Sequence, residues 1–525
     1  LCVCWAGAFA GAPAHRSKEI DGQDRSDAVQ SVPARDIKEE SMRISELFKN
    51  TGCRLVGGDC EIASIQCDSR RVEPGCLFVC VVGTFQDGHQ YAEKAAQAGA
   101  AALLVQREMP IDLPQVIAPD TRIAMAEAAA MLYGYPATKM RMVGVTGTNG
   151  KTTTTYMLKA IAEKAGYKVG LIGTITNLIG DKVLPAVHTT PDAADLQRLL
   201  GQMVEEGVEL CVMEVSSHSL DQHRVHGITY DVGIFTNLTQ DHLDYHKTFE
   251  NYLGAKKKLF EQSKFAVVNT DDAYCSRILE GLPCGHYTFG VCENADLFAK
   301  NIDIAPAGAA FDMHLPGQEE LLHIKLNISG LFSVFNAMGT AGAALALGFP
   351  PEKIKEGLES LTSVSGRLEK LPVPNRDYAV LLDYAHTPDA LENILKTVRS
   401  FTKNRIITLF GCGGDRDRAK RPIMGEVAGR YSDYCIITSD NPRSEEPLSI
   451  MKAIEEGVSR SGCEYIMIEN RKEAIRYALS MGGSGDVIVL AGKGHETYQE
   501  INGIKNHFDE KEIVAELIRE LPDQQ

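Results

Sequence analysis

Val143-Gly-Val-Thr-Gly-Thr-Asn-Gly-Lys-Thr-Thr-Thr154 is the stretch on which the reading of this chain turns. Met142 to Val145 reads as a buried strand, and Thr152 to Ala165 carries helical spacing through Tyr156, Leu158, Ile161 and Ala162. Between them Gly147 and Gly150 let the backbone turn tightly, so that its N–H groups converge on an anion at the helix N-terminus. Thr148, Asn149 and Thr153 complete the loop, Lys151 reaches the outer phosphates and the Thr152 hydroxyl is placed for Mg²⁺. Val145 stands where the usual G-x-x-x-x-G-K-[ST] pattern has its first glycine. The strand before and the helix after still favour a nucleotide loop over a merely structural turn.

Composition sets the frame around this loop. A chain of 525 residues exceeds one ordinary core, and three domains is the natural expectation. The net charge of -16 speaks against a general nucleic-acid or anionic-membrane binder, though not against a local basic pocket. The 14 cysteines include no C-x-x-C pair and read as reduced thiols. No apolar run approaches the roughly 18–20 residues of a membrane span. Residues 1–41 read as a disordered extension ahead of an enzyme start at Met42, which an over-called translation start explains better than a targeting peptide.

Short strands and helices alternate along the rest. Strands are expected at Gly75 to Val82, Ala101 to Val105, Leu210 to Val215, Ala266 to Val268, Ala379 to Leu382, Ile406 to Phe410, Tyr434 to Thr438 and Asp486 to Leu490. Tyr133-Gly-Tyr-Pro136 and Leu371-Pro-Val-Pro374 divide the chain at 42–139, 140–370 and 371–525. The expected fold is α/β: a small N-terminal domain, a central mostly parallel sheet with helices on both faces, and a Rossmann-like C-terminal domain.

Three constellations carry chemistry. Glu214 ends an apolar strand and is the usual second anchor for Mg²⁺ near such a loop; Ser216-Ser-His-Ser219 follows it. Thr236-Asn-Leu-Thr-Gln-Asp-His-Leu-Asp-Tyr-His246 is either a metal site or a polar loop. Lys256, Lys257 and Lys258, at what reads as the start of a helix, suggest a solvated face.

The order T-G-T-N-G-K-T, E-V-S-S-H, N-L-T-x-D-H-L-D-x-H and Y-x-x-A-K resembles the Mur ligase family, ATP-dependent amino-acid ligases of peptidoglycan precursor synthesis. The resemblance runs on through Asp383-Tyr-Ala-His-Thr-Pro-Asp389, Phe410-Gly-Cys-Gly-Gly-Asp-Arg-Asp-Arg-Ala-Lys-Arg421 and Ala491-Gly-Lys-Gly-His-Glu496, covering Met42 to about Leu521. It implies ATP, two Mg²⁺ held by Thr152, Glu214, His242 and Lys256, and a CO₂-derived carbamate on Lys256, which requires a neutral amine of lowered pKa. Lys151, Glu214, His242 and Lys256 are the implied catalytic set. Asn336, Arg367, Asp383 and Tyr384 match positions near ATP.

Within the family the likeness is to ligases that extend UDP-N-acetylmuramoyl-L-alanyl-D-glutamate. Ser69 and His89, in Cys67-Asp-Ser-Arg-Arg-Val-Glu-Pro-Gly-Cys-Leu-Phe78 and Gln86-Asp-Gly-His89, resemble the part that holds UDP. Thr189, Thr190, Ser216, Gln222 and Arg224 resemble the part that holds the muramyl dipeptide. Ser439-Asp-Asn-Pro-Arg-Ser-Glu445 resembles the form found in ligases that accept meso-diaminopimelate. Arg443 suits the distal carboxylate of that amino acid through charge-assisted bonds of about 1.5–3 kcal/mol each, and L-lysine would leave its guanidinium unpaired. Arg416, Asp440, Asn441, Pro442, Gly492 and Glu496 complete the implied pocket. The expectation is therefore an acyl-phosphate ligase adding diaminopimelate, as a cytoplasmic monomer with no nucleic-acid or membrane partner. A ligase adding L-lysine or another diamino acid is the near alternative; a non-catalytic nucleotide-binding scaffold and a folate-polyglutamating ligase are the distant ones.

Overall fold

The computed structural model describes residues 41–83 and 86–521. The expectation for the N-terminal extension lies, apart from Ser41, outside the described residues. Three sheets follow one another along the chain, each covered by helices. The first has five short strands in the order Arg54–Val56, Gln115–Ile117, Ala102–Val105, Cys76–Val79 and Ser64–Gln66. Ala102–Val105 and Cys76–Val79 are buried throughout, as unbroken apolar runs in a parallel sheet require.

The second sheet has eleven strands, with Arg141–Thr146 near its middle between Leu210–Glu214 and Val232–Phe235, both parallel to it. Two antiparallel strands extend one edge, and three long strands from Leu297 to Leu326 extend the other. The helices Lys151–Lys164 and Leu331–Ala346 lie against this sheet and bury Leu158, Ile161, Ala337 and Ala341 in one core with Val143, Val145 and Ile234. Because these strands are parallel, their C-terminal ends and the loops after them gather at one edge, where open α/β sheets bind ligands.

The third sheet has six strands, five of them parallel, running Ala379–Asp383, Val487–Ala491, Ile406–Phe410, Tyr434–Ile437 and Glu464–Met467. Its sixth strand, Glu369–Leu371, pairs antiparallel with Ala379–Asp383. The division read from the prolines at 371–374 therefore falls inside a strand of this sheet. Leu371 is drawn in because it packs in the core of the C-terminal unit beside Val380 and Leu382.

Two other expectations change. The segment Tyr91 to Ala98 begins in a 3₁₀ turn, Gly88–Tyr91, before the helix Ala92–Gln97. The three lysines sit late in the helix Phe249–Glu261, not at its start, and Lys256 is 1% exposed. Lys256 falls on the face that buries Tyr252, Leu259 and Phe260, so the solvated-face reading does not hold for it.

All cysteines among the described residues are free thiols, and no helix among them is long and apolar enough to cross a membrane. The phosphate-loop helix depends on close packing at Gly357 of the helix Pro351–Ser360, where an added Cβ would lie 2.3 Å from the Ile161 Cα. Backbone cannot yield there as a flexible side chain would. Gly357→Ala is expected to destabilise the protein by about 1–3 kcal/mol, read as a lower urea midpoint.

Candidate active site

The strand Arg141–Thr146 delivers the chain to Gly147 at the C-terminal edge of the central sheet. Gly147 has φ +149° and Gly150 φ +87°, and a Cβ at Gly147 would sit 1.8 Å from Thr236 Oγ1. The neighbouring loop presses that closely on the turn, and only glycine fits. Asn149 N–H donates to Asn237 Oδ1 at 2.9 Å and Thr148 N–H to the Asn237 carbonyl at 2.9 Å, so the second loop holds the first in shape.

Two lysines meet inside this frame. Lys151 Nζ donates to the carbonyls of Gly147 (2.9 Å) and Thr148 (2.8 Å); Lys256 Nζ donates to the same Gly147 carbonyl at 2.8 Å and lies 4.5 Å from the Tyr252 ring centroid. Burial, and then the charge of Lys151, push the Lys256 ammonium well below the usual lysine range. Burial lowers Lys151 as well, although Glu214 and Asp241 pull the other way.

These groups line a cavity of about 640 Å³ that brings together Thr152, Glu214, His242, Lys256, Asn336, Arg367, Asp383 and Tyr384. Glu214 is fully buried, its two oxygens accepting from Thr174 N–H and Thr174 Oγ1 at 2.9 Å each. Arg367 Nη2 donates to Thr152 Oγ1 at 2.9 Å and its guanidinium covers the Tyr384 ring at 4.8 Å. Asp383 accepts from Leu368 N–H at 2.6 Å, and burial pushes its carboxyl up to about 6. Burial pushes the His242 imidazole down to about 3, leaving it neutral and able to offer a nitrogen lone pair at neutral pH. No group of three or more His, Cys, Asp or Glu side chains among the described residues is arranged to hold a metal. The hydroxyl, carboxylate and imidazole here suit Mg²⁺ only when phosphate oxygens supply the remaining ligands, which is its habitual mode.

The muramyl-dipeptide set also comes together. Thr189 Oγ1 lies 3.1 Å from Thr174 Oγ1, Thr190 Oγ1 donates to the Glu214 carbonyl at 2.8 Å, and Ser216 caps the helix Ser217–Asp221. The fork of Arg224 grips Gln222 Oε1 (3.1 and 2.7 Å) and the Thr190 carbonyl (3.0 Å). Ser69 lies on the loop that docks on the central unit through Arg71, paired with Asp195 at 2.8 and 2.9 Å. His89 departs from its expectation. It is 2% exposed, its Nδ1 lies 2.5 Å from Asp87 Oδ1, and its Nε2 accepts from Gln106 N–H at 3.0 Å. Both ring nitrogens serve the fold of that turn, and neither is left for a nucleotide.

A second cluster forms at the edge of the C-terminal sheet. Asn441 Nδ2 donates to Glu496 Oε2 at 2.8 Å, and the fully buried Lys493 donates to Asn441 Oδ1, Glu496 Oε2 and the Tyr498 carbonyl. A Cβ at Gly492 would stand 2.7 Å from Asp440 Oδ2. Pro442 is held by its neighbours, Asn441 and Arg443, whose chain runs against Gly414 and Glu500. Gly413 sits between the two arginines: its Cβ position is 2.9 Å from Arg443 Nη1 and 3.7 Å from Arg416 Cγ. Arg443 is not left unpaired without a ligand, because its Nε lies 3.4 Å from Glu500 and its Nη1 donates to the Gly414 carbonyl at 2.8 Å. The expected penalty against lysine is smaller by that much.

Sequence reading places Asp241 only in a loop that is either a metal site or a polar loop, and assigns no role to Thr174, His386, Asp389, Lys420 or Lys493. Only the last four stood inside quoted C-terminal motifs, and nothing in their spacing shows that they reach across to the central unit or close a buried network. Asn149 Nδ2 donates to Asp389 Oδ2 at 2.8 Å, and Gln240 Nε2 to Asp417 Oδ2 at 3.4 Å, joining the phosphate-loop edge to the C-terminal unit.

Comparison with known proteins bears on this arrangement. Residues 145–344 match the Mur ligase middle domain, 366–494 the Mur ligase glutamate ligase domain, and 61–136 the Mur ligase family catalytic domain. The chain is 49% identical over 486 residues to a UDP-N-acetylmuramoyl-L-alanyl-D-glutamate--2,6-diaminopimelate ligase of Clostridium acetobutylicum, covering 91% of this chain and 100% of that one. A protein of the same name from Clostridium botulinum is 49% identical over 467 residues, 88% of this chain and 96% of that one. A solved structure of a ligase of that name aligns with a TM-score of 0.62 at 31% identity, over 91% of this chain and 99% of that one. On its sequence and on its three-sheet architecture, the chain belongs to the Mur ligase family.

Proposed function

We propose that the protein attaches meso-2,6-diaminopimelate to UDP-N-acetylmuramoyl-L-alanyl-D-glutamate in an ATP-dependent amide ligation of peptidoglycan precursor synthesis. Full-length relatives at 49% identity carry that activity in their names. The observation that carries the reading is the placement of Arg443 and Arg416 beside Asn441, Lys493 and Glu496. That pocket offers cations for a carboxylate and a carboxylate for an ammonium, as a zwitterionic amino acid with a second acidic end demands.

Chemistry follows from what the side chains do. Lys151 gives up its loop carbonyls to neutralise the γ-phosphate as the D-glutamyl carboxylate attacks it; the bond from the γ-phosphorus to the β–γ bridging oxygen breaks, ADP leaves and an acyl phosphate forms. Arg367, stacked on Tyr384, adds charge from the opposite wall. The amine of diaminopimelate then attacks the acyl carbon, and phosphate leaves. Positioning and charge neutralisation supply most of the catalysis. Thr152, Glu214, His242 and Lys256 as a carbamate would hold Mg²⁺, which would offset the charge of the phosphates. Thr189, Thr190, Ser216, Gln222 and Arg224 orient the muramyl dipeptide, and Ser69 meets the uridine end. The work belongs in the cytoplasm, where ATP is supplied, with the protein acting as a monomer.

L-Lysine remains the competing acceptor, since Glu500 already offsets part of the Arg443 charge. Phosphate release with the UDP-linked dipeptide tests the choice. Release with meso-diaminopimelate is expected to exceed release with L-lysine by at least about 100-fold, less than the roughly 10⁴–10⁵ of a site built to pair a group because Glu500 already offsets part of the Arg443 charge. Arg443→Ala should lower kcat/KM for diaminopimelate by about 10–100-fold, from about 1.5–3 kcal/mol of lost bonding, while leaving the ATP KM alone. Equal rates with the two acceptors would overturn the specificity and leave the ligase reaction standing.

A further inference from the structure

Asp241 lies at the end of the central-sheet loop that also bears His242, and its side chain is 8% exposed. Its Oδ1 is 3.7 Å from Lys420 Nζ, and its Oδ2 is 3.9 Å from His386 Nε2; both partners belong to the C-terminal unit. Lys420 is itself 6% exposed in its side chain and opens the helix Lys420–Tyr431, directly after the loop that carries Arg416. His386 lies with Tyr384 on the short loop between Asp383, the end of the strand Ala379–Asp383, and the helix Pro388–Phe401 that bears Asp389. One carboxylate thus faces both C-terminal loops, one leading to the amino-acid pocket and the other to the nucleotide.

We propose that Asp241 and Lys420 are positioning residues that hold the C-terminal unit closed over the phosphate loop during amine transfer. The proposal rests on the ligase reading above. His242, the third group within 4 Å of the carboxylate, lies on Asp241's own loop and so cannot tie the two units together. Lys420, buried like Asp241, brings the ammonium that faces it from the C-terminal unit. A buried carboxylate left without its cation is costly, so separating the units here is opposed. Asn149 to Asp389 and Gln240 to Asp417 add weaker ties across the same seam.

The test uses the full chain. Lys420→Met and Asp241→Asn are each expected to cut kcat/KM for the diamino acid about tenfold or more, with the ATP KM within about twofold. The double variant should fall no further than the worse single variant, because the pair acts as a unit. Lys420→Arg should restore part of the loss, which a merely structural defect would not predict. X-ray scattering of the substrate-free proteins should give a larger radius of gyration for both single variants at unchanged melting temperature. Additive losses, a matching rise in ATP KM, or an unchanged radius of gyration would overturn the closure role. The scattering result needs no turnover. If wild-type protein releases no phosphate with either diamino acid, the ligase reading fails while scattering still decides the latch.

Discussion

Two buried lysine nitrogens reaching for one carbonyl oxygen set the terms for the rest of this molecule. Lys151 and Lys256 both donate to Gly147, so their nitrogens lie within about 6 Å of each other. Two unit charges at that spacing repel by about 3 kcal/mol at an effective dielectric of 20. The protein lessens that repulsion by keeping Lys256 where burial and its charged neighbour favour the free amine. What remains is a donor-rich hollow in which Lys151 and Arg367 supply positive charge for a polyphosphate. A neutral amine in that hollow is also a nucleophile for CO₂: the lone pair attacks carbon, a proton is lost, and a carbamate anion results.

Topology makes this convergence possible. Parallel strands bring the phosphate loop, Glu214 and the Asp241–His242 loop to one edge, while the helix Phe249–Glu261 carries Lys256 in from beside them. The C-terminal sheet repeats the arrangement, with the Ser439–Glu445 and Gly411–Arg421 loops after two of its strands. Closing one edge over the other gives a nucleotide and an acceptor amine a common space. Arg367 and Tyr384 lie at the joint, one from before the C-terminal sheet and one from the end of its strand Ala379–Asp383.

The strands and the phosphate loop were legible because burial writes itself into sequence as apolar runs, and turns as glycine. Ile406–Phe410 and Leu210–Glu214 are such runs, fully buried. Polar roles were legible only where they stood in a motif. His89 reads as a ligand contact only because Gln86-Asp-Gly-His89 resembles the UDP-holding part of the family; its partners, Asp87 and the Gln106 amide, become visible only once the chain has folded. Lys256 looked solvated because neighbouring lysines share its sequence, but a helix turns each residue about 100° from the last, and only that one of the three faces the core. The Asp241 to Lys420 contact joins two units far apart in sequence, which no local pattern encodes.

We propose that Lys256, whose ammonium burial disfavours, takes up CO₂ as a carbamate, and ¹³C NMR of the protein equilibrated with ¹³C-bicarbonate tests this most directly. The account predicts one carbamate carbon resonance in the wild type, absent in Lys256→Ala, with turnover that falls in CO₂-depleted buffer and returns on adding bicarbonate. No resonance assignable to Lys256, together with turnover indifferent to CO₂, would contradict it.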